Sequence, residues 1–546
     1  MLDLWYKNAV IYCLDVETFV DANGDGVGDF QGLTDRLDHI EALGVTCVWL
    51  LPFYPSPNRD NGYDITDFYG VDPRLGSPGD FVNFTRAAHD RGLRVIVDFV
   101  ANHTSIDHPW FQEARASPTS RFRNWYVWSK EEPADKQEGV VFPGVQEAIW
   151  SYDEAAEAWY LHRFYEHQAD LNIANPEVRE ELDKVMGYWL ELGVSGFRID
   201  AVPFLIEYKG LPEEAQPKQD PHLYLTHMRD FLSWRKAEAM MLAEANITLD
   251  QTDEYFGDGD RMHMIFNFML NQHLFLALAR GDAEPVLRIM KQMPKIPEQA
   301  QWGTFLRNHD ELDLGRLSDG ERQEVFAAFG PDPAMQLYER GIRRRLAPML
   351  GGDVRRLKMA HSLMFALPGT PVDWYGEEIG MGDDLGQPER NSVRAPMQWS
   401  DKPNAGFSDA PAERLIRPVI ADGEFDYRKV NIAAQRDAPG SLMEHMQRLI
   451  RTRRSCPEIG WGECKVLPTE AASVLALSYH WRGQTVVTAH NLADKPAEVR
   501  FVAKDIPPEL TPLFCFDDER RRCRAEEPVA LDVYGFRWFR GNGERR

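Results

Sequence analysis

The strongest constraint on this chain is a rhythm of apolar runs and amphipathic stretches. Val45–Phe53 and Val95–Val100 carry almost only apolar residues. A strand with one face in water alternates apolar and polar residues, whereas a strand covered on both faces reads as a near-continuous apolar run. Val10–Phe19 is strand-like as well. Between these runs lie Leu33–Leu43, apolar at helical spacing, and Asp80–Asp90, a helix pattern with Pro78 near its start. Further on, Val194–Ala201, Met240–Asn246, His263–Phe268, Trp302–Asn308 and Pro371–Tyr375 read as strands, with helices at Glu177–Leu192 and near His222–Lys236. A repeated strand–helix order implies a parallel sheet. Eight such strands predict a closed (β/α)8 barrel.

Two segments break the rhythm. Residues 104–168 are rich in Trp, Tyr, Phe and Pro, without a clean period, and are too long for an ordinary loop. They read as an insert domain after the third strand. From about Gly460, Ser473–Trp481, Gln484–Ala489, Ala497–Val502 and Ala530–Arg537 form short strand patterns separated by turn signals. They predict a C-terminal antiparallel β-sandwich domain. The expected division is a barrel over 1–103 and 169–455, an insert over 104–168 and a β domain over 456–546. A chain of 546 residues is too long for a single core, in keeping with several domains.

The net charge of −25 argues against nucleic acid or an anionic membrane as partner, because phosphate binding needs a basic surface. Six Cys residues are few for this length; Cys13 and Cys47 sit inside apolar runs and read as buried thiols in a reducing compartment. Met1–Lys7 lacks the pattern of a signal peptide, and no apolar run reaches the length of a membrane helix. A cytoplasmic location is expected, with a small molecule as the partner and a homo-oligomer as an open option.

Barrel enzymes draw their catalytic groups from the C-terminal ends of several strands. Those ends read Asp98 to Asn102-His103, then Arg198-Ile199-Asp200, then Glu244, then Asn308-His309-Asp310; Tyr63-Asp64 follows the second strand. Any one of these residues alone reads more readily as a helix cap or structural group. Together they bring three carboxylates, two His and one Arg to one rim. Paired carboxylates suit glycoside chemistry, with one as nucleophile and the other as proton donor. Asp200 shares a strand face with Arg198, which favours its charged form. Glu244 lies in an otherwise uncharged run, Met241 to Ala245, which raises a carboxyl pKa and suits an acid. Asp310 remains to hold hydroxyls and stabilise positive charge.

With these four strand ends and the run Gln168-Ala169-Asp170-Leu171-Asn172, the chain resembles glycoside hydrolase family 13, the α-amylase family, over nearly its whole length. The resemblance implies a retaining reaction at an α-glucosidic centre, with Asp200 as nucleophile, Glu244 as acid/base and Asp310 as transition-state stabiliser. Tyr63, Asp64, His103, Arg198, His309 and Arg394 match positions that hold the glucose. Within the family the nearest resemblance is to the members that interconvert maltose and trehalose. It rests on Trp49–Pro57, Thr304–Leu312 and Gly341–Pro348, the last within an insertion near 313–350. The chain departs from that subgroup at Cys13–Phe19, where acids stand, at Asn58 and Asn61, and at Glu389-Arg390-Asn391-Ser392. A hydrolase or transglucosylase on small α-glucosides is the alternative. A non-catalytic homologue is disfavoured, because all three carboxylates are present.

Asp21, Asn23, Asp25, Val27 and Asp29 stand at alternate positions in a Gly-rich run, a spacing like that of an EF-hand loop for Ca2+; the run also reads as a plain Asp/Gly turn. The resemblance implies a second structural Ca2+ site at Asn102, Asp170 and Glu207, with the backbone oxygens of Phe204 and Leu205. No organic cofactor is expected.

Overall fold

A computed structural model describes residues 3–209, 218, 220–501, 506–516 and 522–542. Eight parallel strands close a barrel: β1 Ile11–Leu14, β2 Cys47–Leu50, β3 Arg94–Phe99, β4 Gly196–Ile199, β5 Met240–Ala243, β6 Met264–Phe266, β7 Gln301–Thr304 and β8 Thr370–Trp374. β8 returns to β1, with Ile11 opposite Val372. β3 pairs directly with β4 although the insert lies between them in sequence, and this sets Asp98 opposite Arg198. All eight strands are almost wholly buried, as a parallel sheet covered by helices must be.

The strands are shorter than the apolar runs that announce them. The run at Val10–Phe19 stops being a strand at Leu14, because the Asp15 carboxylate accepts the Glu17 N–H at 3.1 Å and starts a 3-10 turn over Val16–Thr18. The helical stretch at 33–43 is two helices, Phe30–Asp35 and Leu37–Leu43, parted at Arg36. The helix Pro78–Asp90 begins on a capping box between Ser77 and Asp80, which satisfies two of the orphan N–H groups of its first turn.

The insert is rooted by the antiparallel pair His103–Ser105 and Gln168–Asp170, with His103 opposite Asp170. Above it a three-stranded sheet, Trp128–Ser129, Ala158–Leu161 and Trp150–Asp153, packs on the helix Pro109–Ala116. Its centre is aromatic: Phe111 lies 5.0 to 5.4 Å from Tyr126, Trp128 and Tyr160. Packing by rings rather than by an aliphatic stripe is why the segment shows no period. After β7, three short strands, Leu312–Asp313, Gly341–Ile342 and Gln336–Leu337, hold the insertion near 313–350 beside the barrel mouth.

The C-terminal domain is a six-stranded antiparallel sheet in the order Glu463–Leu467, Val474–Trp481, Gln484–Asn491, Phe536–Asn542, Glu509–Cys515, Cys523–Arg524. A two-stranded sheet, Ala497–Val499 with Val529–Leu531, packs on it through a small core that includes Val487, Leu510 and Phe539. The single strand expected at Ala530–Arg537 is two, ending at Leu531 and restarting at Phe536, because Tyr534 takes a left-handed turn at φ 53°. Val502, the last residue expected in another strand, lies outside the described residues. Glu463–Leu467 escapes notice because every second residue of this edge strand is exposed and polar. Cys13, Cys47 and Cys456 are buried thiols. Among the described residues no helix is long and apolar enough to cross a membrane.

Candidate active site

The site is built on Arg198, which β4 delivers into the top of the barrel at 1% exposure. An alternating strand puts Arg198 and Asp200 on the same face. The Arg198 Nη1 donates to Asp98 Oδ1 (2.6 Å) and Asp200 Oδ1 (2.5 Å), and Nη2 lies 2.9 Å from Glu244 Oε2. One guanidinium therefore binds carboxylates from the ends of β3, β4 and β5. Trp49 fixes the far side of Asp98 through its Nε1–H (3.0 Å). After Asp200 the chain turns through Ala201 in a left-handed conformation (φ 47°), and the Ala201 N–H donates to Glu244 Oε2 at 3.0 Å. A non-glycine residue in that region costs about 1–3 kcal/mol. Here the strained turn supplies the donor that aims Glu244.

Asp310 is held from the other side. Its Oδ2 lies 3.1 Å from His309 Nε2, and its Oδ1 accepts from Arg394 Nη2 (2.9 Å) and Arg390 Nη1 (3.0 Å). The same His309 nitrogen is 2.9 Å from the Tyr63 hydroxyl, whose ring stacks on the imidazole at 5.9 Å. Arg394 is anchored by its Nε–H to the His309 carbonyl (2.7 Å). His103 holds the Tyr63 carbonyl at 3.1 Å.

These surroundings separate the three carboxyl groups. Burial raises Asp200 to about 6, with Arg198 opposing. Burial raises Glu244 further, to about 7, against the pull of Arg198 and with the help of Asp200 and Asp310; its side chain is 26% exposed, but only to the cavity. Burial disfavours the charge on Asp310 too, yet His309, Arg390 and Arg394 outweigh it and hold this carboxyl well below the usual carboxylate range. The Glu244 environment is thus not the uncharged one its sequence run implies: a guanidinium touches it, and enclosure still keeps its affinity for a proton the highest of the three. Burial lowers His103 and His309 to about 4, so both are neutral near pH 7.

A cavity of about 530 Å3 lies over this floor, within the range of small-ligand pockets. Asp200, Glu244, Asp310, Tyr63 and His103 line it; Arg198, His309 and Arg394 lie just beneath. Asp64 does not reach it. Its Oδ1 accepts from Ser56 (2.8 Å) and the Asp60 N–H (3.2 Å), and its Oδ2 from the Arg59 N–H (3.2 Å). The carboxylate that faces the cavity from this loop is Asp60, which accepts from Gln168 Nε2 (2.9 Å) and Arg390 Nη2 (2.9 Å). The missed residues of the site come from three separate segments: Asp60 from the loop after β2, Gln168 from the strand Gln168–Asp170 that roots the insert, and Arg390 from the turn after β8; the Asn-flanked Arg59-Asp60 run, the Gln168–Asn172 run and the departure at 389–392 hinted at them.

Three segments meet above the cavity. Glu389 Oε2 accepts the hydroxyls of Tyr165, from the insert, and Tyr338, from the 313–350 insertion, each at 2.6 Å. Phe142 packs against both rings (4.8 and 4.7 Å) and under the Arg390 guanidinium (5.0 Å). Arg340 ties the insertion to the insert through Asp313 (2.9 Å) and the Val141 carbonyl (2.9 Å).

The family described as "Alpha amylase, catalytic domain" matches residues 14–326 and 342–462. The chain belongs to the α-amylase family, glycoside hydrolase family 13. Residues 483–540 match "Sucrose hydrolase-like, C-terminal domain". The chain is 42% identical over 546 residues to "Trehalose synthase/amylase TreS" of Mycobacterium tuberculosis (98% of this chain, 90% of that one). It is 45% identical over 492 residues to the trehalose synthase of Thermus thermophilus (90% of this chain), of which it spans half the length. It is 38% identical to the trehalose synthase of Pimelobacter sp. (98% and 96%). The solved α-amylase from H. orenii superposes with a TM-score of 0.80 at 25% identity (98% and 100%). As a family 13 protein with these relatives, the chain is a glucosyl-transferring enzyme, an isomerase or a hydrolase.

The two ligand sets for Ca2+ fare differently. At the second set an amine occupies the place of the cation: Lys209 Nζ lies 2.5 Å from Asn102 Oδ1 and 2.7 Å from Asp170 Oδ2, and Glu207 is engaged with Arg163 (2.8 Å). A buried ammonium and a divalent ion cannot share those oxygens, so Asn102, Asp170, Phe204, Leu205 and Glu207 do not fit a metal site in this family member. In the N-terminal loop Asp21 Oδ1, Asn23 Oδ1 and Asp25 Oδ1 each accept one backbone N–H (2.7 to 2.9 Å), which leaves each oxygen a second lone pair, and no amine intrudes. Those oxygens fit a hard cation. Among the described residues no three His, Cys, Asp or Glu side chains gather into a metal-binding group by themselves, so such a loop needs the Asn23 amide and the Val27 carbonyl as well. Replacing Lys209 with Met strands the fully buried Asp170, and should destabilise the fold by about 3–5 kcal/mol; calorimetry should show a lowered Tm that added Ca2+ does not restore.

Proposed function

We propose that this enzyme interconverts maltose and trehalose through a covalent glucosyl intermediate on Asp200. The observation that supports it most is the junction at the cavity mouth: Glu389, Tyr165 and Tyr338 join three segments beside a cavity sized for a small sugar, with Arg390 reaching from that junction to Asp310. In the first step Asp200 attacks the anomeric carbon while Glu244, carrying a proton near pH 7, gives it to the leaving glucosidic oxygen. Arg198 bridges Asp200 (2.5 Å) and Glu244 (2.9 Å), which keeps the two carboxyl groups close, in line with the short carboxyl spacing of retaining enzymes. Asp310, ionised throughout, meets the positive charge that develops on the sugar ring and accepts its hydroxyls. In the second step Glu244 takes the proton of an attacking hydroxyl. If that hydroxyl is the anomeric one of the retained glucose, the product is trehalose; if it is water, the products are two glucose molecules.

Neutral His103 and His309, Arg394 and the cavity-facing Asp60 position the glucose. Asp64 acts one step back, by shaping the loop that presents Asp60. The departures from the trehalose-forming subgroup form one network behind the site. Glu17 binds Asn58 (3.0 Å) and Arg417 (2.7 Å), Arg417 binds Asn61, and Asn61 donates to Asn391 (3.0 Å), next to Arg390. The three regions that differ thus support one arginine at the site of sugar transfer. The alternative, hydrolysis or transfer by the same intermediate, differs only in what reaches it. The Asp21–Asp29 loop holds a structural Ca2+ in this reading.

Incubation with maltose should yield trehalose faster than glucose; glucose alone would exclude isomerisation. Replacing Asp200 with Ala should lower turnover by at least about 10⁴-fold. Because Asp200 must be ionised and Glu244 protonated, kcat/KM should rise as pH passes about 6 and fall above about 7. Replacing Glu389 with Ala frees both tyrosines. It should raise the share of glucose several-fold and by no more than roughly 30-fold, since two hydrogen bonds are worth about 1 kcal/mol each. Chelation with EGTA should lower Tm by several degrees and leave kcat on maltose unchanged, as loss of a structural ion bound to the native state requires.

A further inference from the structure

A second open cavity, of about 940 Å3, lies where the Val20–Ala22 turn, the break at Arg36 and the loop around 399–410 meet, and none of its lining residues borders the catalytic cavity. Arg36 lies flat on the Trp399 indole, 4.6 Å from the ring centre. That ring is fixed in turn by its Nε1–H to the Phe19 carbonyl (2.7 Å) and by edge contacts with Phe19 and His39. A guanidinium stacked on a fixed ring presents its donors in a set orientation. Arg436 faces the same space, near enough to repel Arg36, and Asp35 attracts Arg36 from beside it. Neither arginine forms an ion pair within 4.0 Å among the described residues, and exposed Lys402 adds a third cation to the wall.

The carboxylates of this wall are Asp21, Asp35 and Asp409, and none lies within 4.0 Å of either guanidinium. Asp21 accepts from the Gly24 and Gly26 N–H groups and from Ser408, Asp35 accepts from Gln31, and Asp409 is exposed. On a chain of net charge −25, two neighbouring arginines that form no close ion pair among the described residues and share a concavity mark a place for an anion. The loop that closes the cavity holds Asn404 and Ala405 in left-handed conformations (φ 53° and 60°), strain of the kind retained at ligand sites.

We propose that this cavity is a second binding site that takes a sugar phosphate monoester, with the phosphate between Arg36 and Arg436, beside Lys402, and the sugar hydroxyls on Asn404 and Ser400. The site stands independently of the maltose–trehalose reading. Titration calorimetry on the full chain with glucose 6-phosphate and with inorganic phosphate tests it. Glucose 6-phosphate should bind, and inorganic phosphate more weakly. Arg36→Gln and the surface variant Arg436→Gln should each weaken binding at least tenfold while turnover on maltose stays at the level of the parent enzyme. Absence of binding, or binding that survives both substitutions, would overturn the proposal. Equal affinity for the two probes would overturn its sugar half.

Discussion

The catalytic end of this barrel depends on one buried charge. Arg198 sits in the strand layer itself, where an isolated cation would be strongly disfavoured, and it persists because three carboxylates from three neighbouring strands converge on it. The dependence runs both ways. Asp98, Asp200 and Glu244 would repel one another at this distance in a low-dielectric interior; the guanidinium makes the cluster tolerable. Burial nevertheless prevails over Arg198 at each of them, and Asp98 and Asp200 rise to about 6 and Glu244 to about 7. The single arginine thus keeps two groups ionised near neutrality and leaves the third poised to carry a proton. Asp310, outside its reach, has its own cations and is pushed the opposite way. Four carboxyl groups on one rim acquire different protonation behaviour from the distribution of a few arginines.

The same economy appears above the cavity. The insert, the 313–350 insertion and the loop after β8 have no shared sheet or helix, and a long loop can stay closed only if something offsets its conformational entropy. Glu389 does so by accepting two tyrosine hydroxyls at once, and the ring of Phe142 fills the space between them and Arg390. Glu389 and Tyr338 both adopt left-handed conformations (φ 43° and 55°). These strained residues sit at the junction they create, so the closure is held by specific contacts rather than by loop propensity.

Much of the architecture was legible in the sequence because its signals are local. Eight buried parallel strands must read as apolar runs; five lie within the runs that announced them, and the other three begin one residue earlier. The strand-end position of Asp200, Glu244, Asp310, His103 and His309 follows from the runs too. What was not legible depends on contacts between distant segments. Asp60 and Asp64 lie in one short loop, and nothing in their spacing tells which carboxylate faces the cavity and which accepts Ser56 and two backbone N–H groups. Lys209 gave no signal as a counter-ion, since its partners Asn102 and Asp170 lie 107 and 39 residues away in sequence, and the ligand set read by resemblance fitted until the ammonium was placed. The elevated affinity of Asp200 for a proton was also hidden: a neighbouring guanidinium argues for a low pKa, and only the depth of burial shows that desolvation prevails.

The competition between isomerisation and hydrolysis is a matter of relative access, and the geometry suggests where that access is set. In the proposed mechanism the first step leaves the glucosyl group on Asp200 with the released glucose still in the cavity. A reactant confined in the right orientation acts at an effective concentration far above any it reaches in solution, so retained glucose outcompetes water as long as the junction at the mouth holds. Arg390 bears on this directly. It spans Asp60 and Asp310, and with Arg394 it takes up both lone pairs of Asp310 Oδ1, which leaves Oδ2, beside His309, to meet the sugar. Arg394 is fully buried and anchored on the His309 carbonyl, and His309 is locked between Tyr63 and Trp49, so Arg390 is the partner of Asp310 that faces the cavity. The network through Asn391, Asn61, Arg417 and Glu17 backs this arginine, so three stretches that touch no reacting atom bear on the one cation between Asp60 and Asp310.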